Sequence, residues 1–169
     1  MLVLVLQFVT IASMKEPNVA GSFYPGSKKE LSAIIAKFLQ KVPVPKSIAL
    51  RPWAVIAPHA GYVYSGQTAA YAYKQLEGKH YDTVVVIAPS HYIPFEGIAV
   101  INSDFKTPLG IISVDPVGIK QLLKANNKIK EFPEVFEREH ALEVQLPFLQ
   151  SVLKDFKLIP IVMGSVSFE

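Results

Sequence analysis

The chain contains no cysteine. Disulfides and thiolate ligands are therefore excluded within these 169 residues, which leaves His, Asp and Glu as the side chains able to hold a metal. Charge is also scarce. Only 18% of residues are charged, the formal net charge is +3, and no basic block exceeds Lys28-Lys29, so the electrostatic footprint of a nucleic-acid-binding surface is missing. No apolar run reaches the roughly 20 residues needed to cross a bilayer. The longest, residues 1–12, lacks the basic opening of a signal peptide. Residues 1–13 read as an upstream start ahead of Met14, as a targeting or anchor segment, or as an extra strand. No stable membrane association and a cytoplasmic location are expected.

What the chain has is apolar residues, 50% of the total, a balance that suits one domain with a well-buried interior. Ser27-Lys28-Lys29-Glu30 has the capping-box pattern, and Leu31, Ile34, Ile35, Phe38 and Leu39 follow at helical spacing, so a helix is predicted over 27–41, ending before Pro43. Residues 53–57 read as a buried strand, 66–76 as an alanine-rich helix closed near Gly78, and 83–88 as the next strand. Strand, helix, strand in that order is the βαβ unit, which makes the two strands parallel. A strand pair is expected from 97–101 and 109–114. Asp115-Pro116 opens a helix to about 125, a further helix runs over 139–153 with a kink at Pro147, and 157–163 is a last buried strand. The fold class is thus α/β, with a mainly parallel central sheet flanked by helices.

Two short passages nearly repeat each other. Val55-Ile56-Ala57-Pro58-His59 and Val86-Ile87-Ala88-Pro89-Ser90-His91 each end an apolar run at a proline and then deliver a histidine. In a parallel α/β sheet, ligands sit in the loops beyond the carboxyl ends of the strands, so His59 and His91 are candidates to share one metal ion. Neutral imidazole suits Zn, Cu, Fe or Ni. The alternative is a pair of loop histidines bonded to backbone carbonyls. Glu139-His140-Ala141-Leu142-Glu143 places His140 and Glu143 three apart, on one face of the predicted helix, as a general base with its orienter, as a carboxylate ligand, or as a plain surface pair. Tyr62 and Tyr64 are phenol donors or packing groups. Glu96 and Asp104 are weaker candidates, and Asp115 is best explained as a helix cap. Neither Ser65 nor Ser90 sits in a G-x-S-x-G elbow, and the glycines around His59 lack the spacing and lysine of a phosphate loop.

Four segments occur in one order: Val19-Ala20-Gly21-Ser22-Phe23-Tyr24-Pro25, Ala57-Pro58-His59-Ala60-Gly61-Tyr62-Val63-Tyr64-Ser65-Gly66, Pro89-Ser90-His91, and Glu139-His140-Ala141-Leu142-Glu143-Val144-Gln145-Leu146-Pro147. Together they resemble the Memo family, from about Met14 to the end. The resemblance implies a fold similar to the class III extradiol dioxygenases, whose iron is held by two histidines and a carboxylate. It matches His59 and His91 to the family's metal-binding histidines, with Fe or Cu as the ion and Zn as an alternative. It also matches His140 and Glu143 to a family motif, here expected to be catalytic.

Memo-like proteins are longer, with a later Asp-Phe-x-His segment and, in animal members, a cysteine that completes the site, none of which occurs here. Residues 14–169 are accordingly expected to form the N-terminal part of a single Memo-like domain, with the third ligand outside it. A metal-dependent redox or dioxygenase-like activity is the leading expectation. The alternative is a non-catalytic binding, adaptor or metal-carrying protein that uses the same cleft for a small molecule or peptide. Microbial relatives further imply a radical S-adenosylmethionine protein and an Amme-type protein as partners, while animal members are associated with receptor signalling.

Overall fold

The first helix forms where its cap is written. In a computed structural model that describes residues 14–43 and 51–166, Ser27 caps α1 (Lys28–Gln40). The Ser27 hydroxyl accepts from the Glu30 N–H at 3.3 Å and donates to the Glu30 carboxylate at 2.8 Å. Leu31, Ile35 and Leu39, four apart, form the buried stripe. The expectations for residues 1–13 lie outside the described residues.

Among the described residues, seven strands make two sheets. The larger has the order β2-β7-β3-β6, from β2 (Thr83–Pro89), β7 (Lys157–Met163), β3 (Ile98–Val100) and β6 (Ile129–Glu131). β2 and β7 run parallel in full register, from Thr83 opposite Lys157 to Pro89 opposite Met163. β3 lies antiparallel to β7 and parallel to β6. The smaller sheet, β1-β4-β5, joins β1 (Met14–Lys15), β4 (Asp104–Thr107) and β5 (Gly110–Ile112). α1, α2 (Tyr62–Lys74) and α4 (Leu146–Val152) pack on one another, and α3 (Pro116–Ala125) lies against β6. The α/β class is as expected. Among the described residues no helix is long and apolar enough to cross a membrane.

Four sequence-based expectations are corrected. Residues 53–57 form no strand, and the described strand beside β2 is β7 alone, parallel to it. α2 begins at Tyr62 rather than near Gly66, because its first turn is tied down by one backbone and one side-chain hydrogen bond. The Tyr62 N–H reaches the Phe23 carbonyl at 2.7 Å, and the Ser65 hydroxyl donates to the Ala60 carbonyl at 2.9 Å. Residues 97–101 and 109–114 do not pair with each other, since β3 joins the larger sheet while β5 closes a hairpin with β4.

The expected helix over 139–153 is broken into a turn, a 3-10 turn (Glu143–Gln145) and then α4. Its opening is diverted because the Glu139 carboxylate takes the N–H groups of His140 and Ala141, both at 2.8 Å. Pro147 then sits in the first turn of α4, where no N–H is needed, and makes no kink.

The interior is filled by Leu31, Ile35, Phe136, Phe148, Leu146 and Leu158, all essentially inaccessible. Tyr73 stacks on Phe148 with ring centroids 5.0 Å apart and planes 9° from parallel. Gly66 lets α1 and α2 close: a Cβ there would stand 2.5 Å from Phe38 Cε2.

Candidate metal centre

Three of the chain's four histidines meet at one place. Ring centroids are 5.2 Å apart for His59 and His91, 4.6 Å for His91 and His140, and 6.2 Å for His59 and His140. They arrive on three separate elements. His59 follows the unpaired run that precedes α2, His91 lies two residues beyond β2, and His140 sits in the turn before the 3-10 segment. The fourth, His80, stands apart as an exposed partner of Asp82. Phe23 and Tyr92 wall the His140 ring, with centroids at 4.8 and 5.9 Å.

Glu139 organises this cluster, a role that no local sequence pattern signals. Its side chain is 1% exposed. Oε2 accepts the His91 N–H at 2.7 Å, and Oε1 meets His91 Nδ1 at 3.0 Å as well as the N–H groups of His140 and Ala141. Burial pushes the Glu139 carboxyl up, but the bonds from the Ala141 N–H and from the ring and N–H of His91 outweigh it and hold the group below the usual carboxylate range. An ionised carboxylate only accepts, so His91 Nδ1 carries the proton and Nε2 is left with a free lone pair. A buried carboxylate fixing the tautomer of an imidazole is the usual support of a metal-binding histidine.

His140 is kept uncharged. Burial lowers its pKa most, and although Glu139 pulls it up, the nearby His91 and His59 add to the lowering. Its Nδ1 is buried, lacks a hydrogen-bond partner among the described residues, and stands 3.4 Å from Glu139 Oε1. Candidate ligand atoms of His91, Glu139 and His140 all lie within 4.8 Å of one another. An orphaned ring nitrogen within a group of three imidazoles fits a transition-metal ion such as Fe, Cu or Zn. Glu139 is better suited to holding His91 than to ligation, because four N–H groups already occupy its two oxygens.

The remaining motif residues build the frame. Gln145 Nε2 donates to the Pro58 carbonyl at 3.1 Å, one residue before His59, while its Oε1 accepts from the Tyr73 hydroxyl at 2.6 Å. The Tyr62 hydroxyl donates to the Val144 carbonyl at 2.8 Å. Glu143 is likewise absorbed: it is buried, and its carboxylate accepts from the N–H groups of Asn18 and Val19 at 2.6 and 2.9 Å and from the Tyr24 hydroxyl at 2.7 Å. His140 and Glu143 thus do not share a helical face. Tyr64 is exposed, and Asp115 caps α3 by accepting from Val117 and Gly118. A slot of about 570 Å³ opens between β2 and residues 52–59 and ends at His59.

The family model for Memo-like proteins matches residues 15–169. A MEMO1 family protein of Nitrosopumilus maritimus is 39% identical over 162 residues, covering 92% of this chain and 58% of the relative. One from Aquifex aeolicus is 38% identical over 161 residues, covering 92% and 57%, and one from Ignicoccus hospitalis is 40% identical over 161 residues, covering 89% and 56%. The chain therefore spans less than three fifths of the length of these curated relatives.

Proposed function

Because the chain belongs to the Memo family, we propose that His59 and His91 hold a single transition-metal ion, iron or copper, in a cleft that serves a redox reaction on a small molecule. The observation that supports this most is the convergence of His59, His91 and His140 with Glu139 buried behind His91. Bound there, such an ion supplies one-electron chemistry and open coordination positions for oxygen or a small ligand.

The chain's own groups divide the rest of the work. Glu139 fixes the His91 ring so that Nε2 faces outward as a ligand atom. His140, beside both other rings, accepts or returns a proton through its imidazole. Phe23 and Tyr92 flank it and limit the approach of water.

Metal stoichiometry tests this directly. Titration of the protein with Fe²⁺ under anaerobic conditions, and separately with Cu²⁺ and Zn²⁺, should give one ion per chain. His59→Ala and His91→Ala should each lose at least tenfold in affinity, whereas His80→Ala should bind like the parent. Equal binding by all three variants would refute the site. Metal uptake with no oxygen consumption on catechols would assign the cleft to metal carriage or ligand binding without turnover.

A further inference from the structure

A cation stands at the rim of the histidine cluster. Arg138 is exposed and directly precedes Glu139 in the chain. Its Cζ lies over the Tyr92 ring, 5.1 Å from the centroid. Tyr92 in turn meets the His140 ring edge-on, with centroids 5.9 Å apart and planes at 76°. A single aromatic ring therefore separates the guanidinium from the imidazoles. The stacked pair comes from two segments that Glu139 holds together, since its carboxylate, next to Arg138, binds both the N–H and the ring of His91, next to Tyr92.

The guanidinium is held but not neutralised. No acidic side chain among the described residues forms an ion pair with Arg138. The carboxylates of the motif are committed elsewhere: Glu139 accepts N–H groups within the cluster, and Glu143 accepts from Asn18, Val19 and Tyr24. Stacking occupies a face of the planar guanidinium and leaves the N–H donors at its edge available as a fork. It also restrains a side chain that would otherwise lose much rotamer freedom on gripping a ligand. Charge balance points the same way. Histidine ligands are uncharged, so a divalent ion on His59 and His91 keeps its charge, which Glu139 offsets by one unit and Arg138 restores.

We propose that Arg138, braced on Tyr92, selects small organic acids for this cleft, taking the ligand's carboxylate in a bidentate pair while the rest of the molecule reaches the imidazole cluster. The inference rests on the cleft being the place where a small molecule binds, and not on the identity of the metal or on turnover. A planar fork matches the two oxygens of a carboxylate, which a neutral amide of the same shape cannot imitate, because one of its two heavy atoms is itself a donor.

Two probes alike in shape and different in charge, para-hydroxybenzoate and para-hydroxybenzamide, test it by NMR titration of the 169-residue chain, metal-free and with Zn²⁺. The acid should bind at least about fivefold more tightly than the amide in both forms. Arg138→Gln should bring the two probes within about twofold of each other, and Arg138→Lys, which keeps the charge but not the fork, should fall between. Tyr92→Leu should also lower the preference by releasing the guanidinium. Lys124→Gln removes the same charge from α3, which packs on β6 at the opposite edge of the larger sheet from β2, and should keep the parent's preference. Should Arg138→Gln fail to fold by circular dichroism, Arg138→Lys and Tyr92→Leu decide. The proposal is overturned if neither probe binds, if the parent does not prefer the acid, or if the preference survives Arg138→Gln or falls equally in Lys124→Gln. An Arg138-dependent preference in a chain that takes up no Zn²⁺ supports the proposal and refutes the metal site. Zn²⁺ bound through His59 and His91 without any preference for the acid does the reverse.

Discussion

Glu139→Gln should weaken metal binding and stability together, because the substitution preserves shape but reverses the hydrogen-bonding capacity of one atom. The carboxylate accepts from four nitrogens: the N–H groups of His91, His140 and Ala141 and the His91 ring. Glutamine keeps one accepting oxygen. With that oxygen in the Oε1 position it retains three of these bonds, but the amide NH₂ then faces the His91 N–H, donor against donor, at a site that is 1% exposed. An unsatisfied buried donor costs about 1–3 kcal/mol. For a domain of this size that corresponds to a fall in Tm of roughly 2–12 °C.

Metal affinity should fall about 10–100-fold, the usual loss when the group orienting a metal-binding histidine is removed. The neutral amide oxygen holds the Nδ1 proton of His91 more weakly than the carboxylate does, and the clash at the His91 N–H loosens the ring. Calorimetric titration with Zn²⁺ and a thermal melt on the metal-free protein measure both effects. Were Glu139→Gln to bind as tightly as the parent while His91→Ala lost binding, the orienting role would be refuted and the histidine site retained.

Glu143→Gln should behave differently, lowering stability by about 1–3 kcal/mol through the bonds from Asn18, Val19 and Tyr24 while leaving the metal affinity of the folded protein within about twofold of the parent. Equal stability in a urea melt would count against its structural role. Gln145→Leu strands the Pro58 carbonyl and the Tyr73 hydroxyl, so it should cost a similar amount of stability and, by loosening the His59 loop, weaken metal binding several-fold. Unchanged affinity would separate Gln145 from the site. Burial raises the pKa of Tyr24, Tyr62 and Tyr73 above the ordinary value. For a raised pKa the stabilisation is intact below the unfolded value, about 10, and is lost as pH climbs past it towards the folded value. Alkaline unfolding should therefore begin above about pH 10, with these three of the seven tyrosines ionising only as the fold is lost, as followed by tyrosinate absorbance.

Local signals in the sequence translated well wherever a single residue dictates a local bond. Ser27 and Asp115 cap their helices where a short polar side chain precedes an apolar period, and β7 falls where an unbroken apolar run has no helical alternation. Pairing did not translate. That β2 pairs with β7, 74 positions away in register, while the nearer run at 53–57 stays unpaired depends on tertiary contacts that no local pattern encodes. The site divides the same way. His59 and His91 were legible because each ends an apolar run at a proline. Glu139 was hidden by the expectation of a continuous helix, whose pattern singles out no partner for its carboxylate. The diversion of the backbone at Glu139 is made by Glu139 itself, so its role becomes visible only when its carboxylate is seen taking the next two N–H groups.

The motifs that mark the family are also one hydrogen-bonded unit. Glu143, from the last of them, holds Val19 and Tyr24 from the first, and Tyr62, from the second, reaches back to Val144. Gln145 ties the last motif to Pro58, and Glu139 ties it to His91. Of the polar residues in these segments, only three imidazoles are left with a ring nitrogen to offer a ligand, while the carboxylates and the glutamine amide are consumed in holding them. A substitution at Glu143 or Gln145 that abolishes function would thus be no sign of a chemical role. That distinction has to be made by comparing metal affinity with stability in the same variant, since a frame residue moves the second at least as much as the first, and a proposed ligand such as His59 should move chiefly the first.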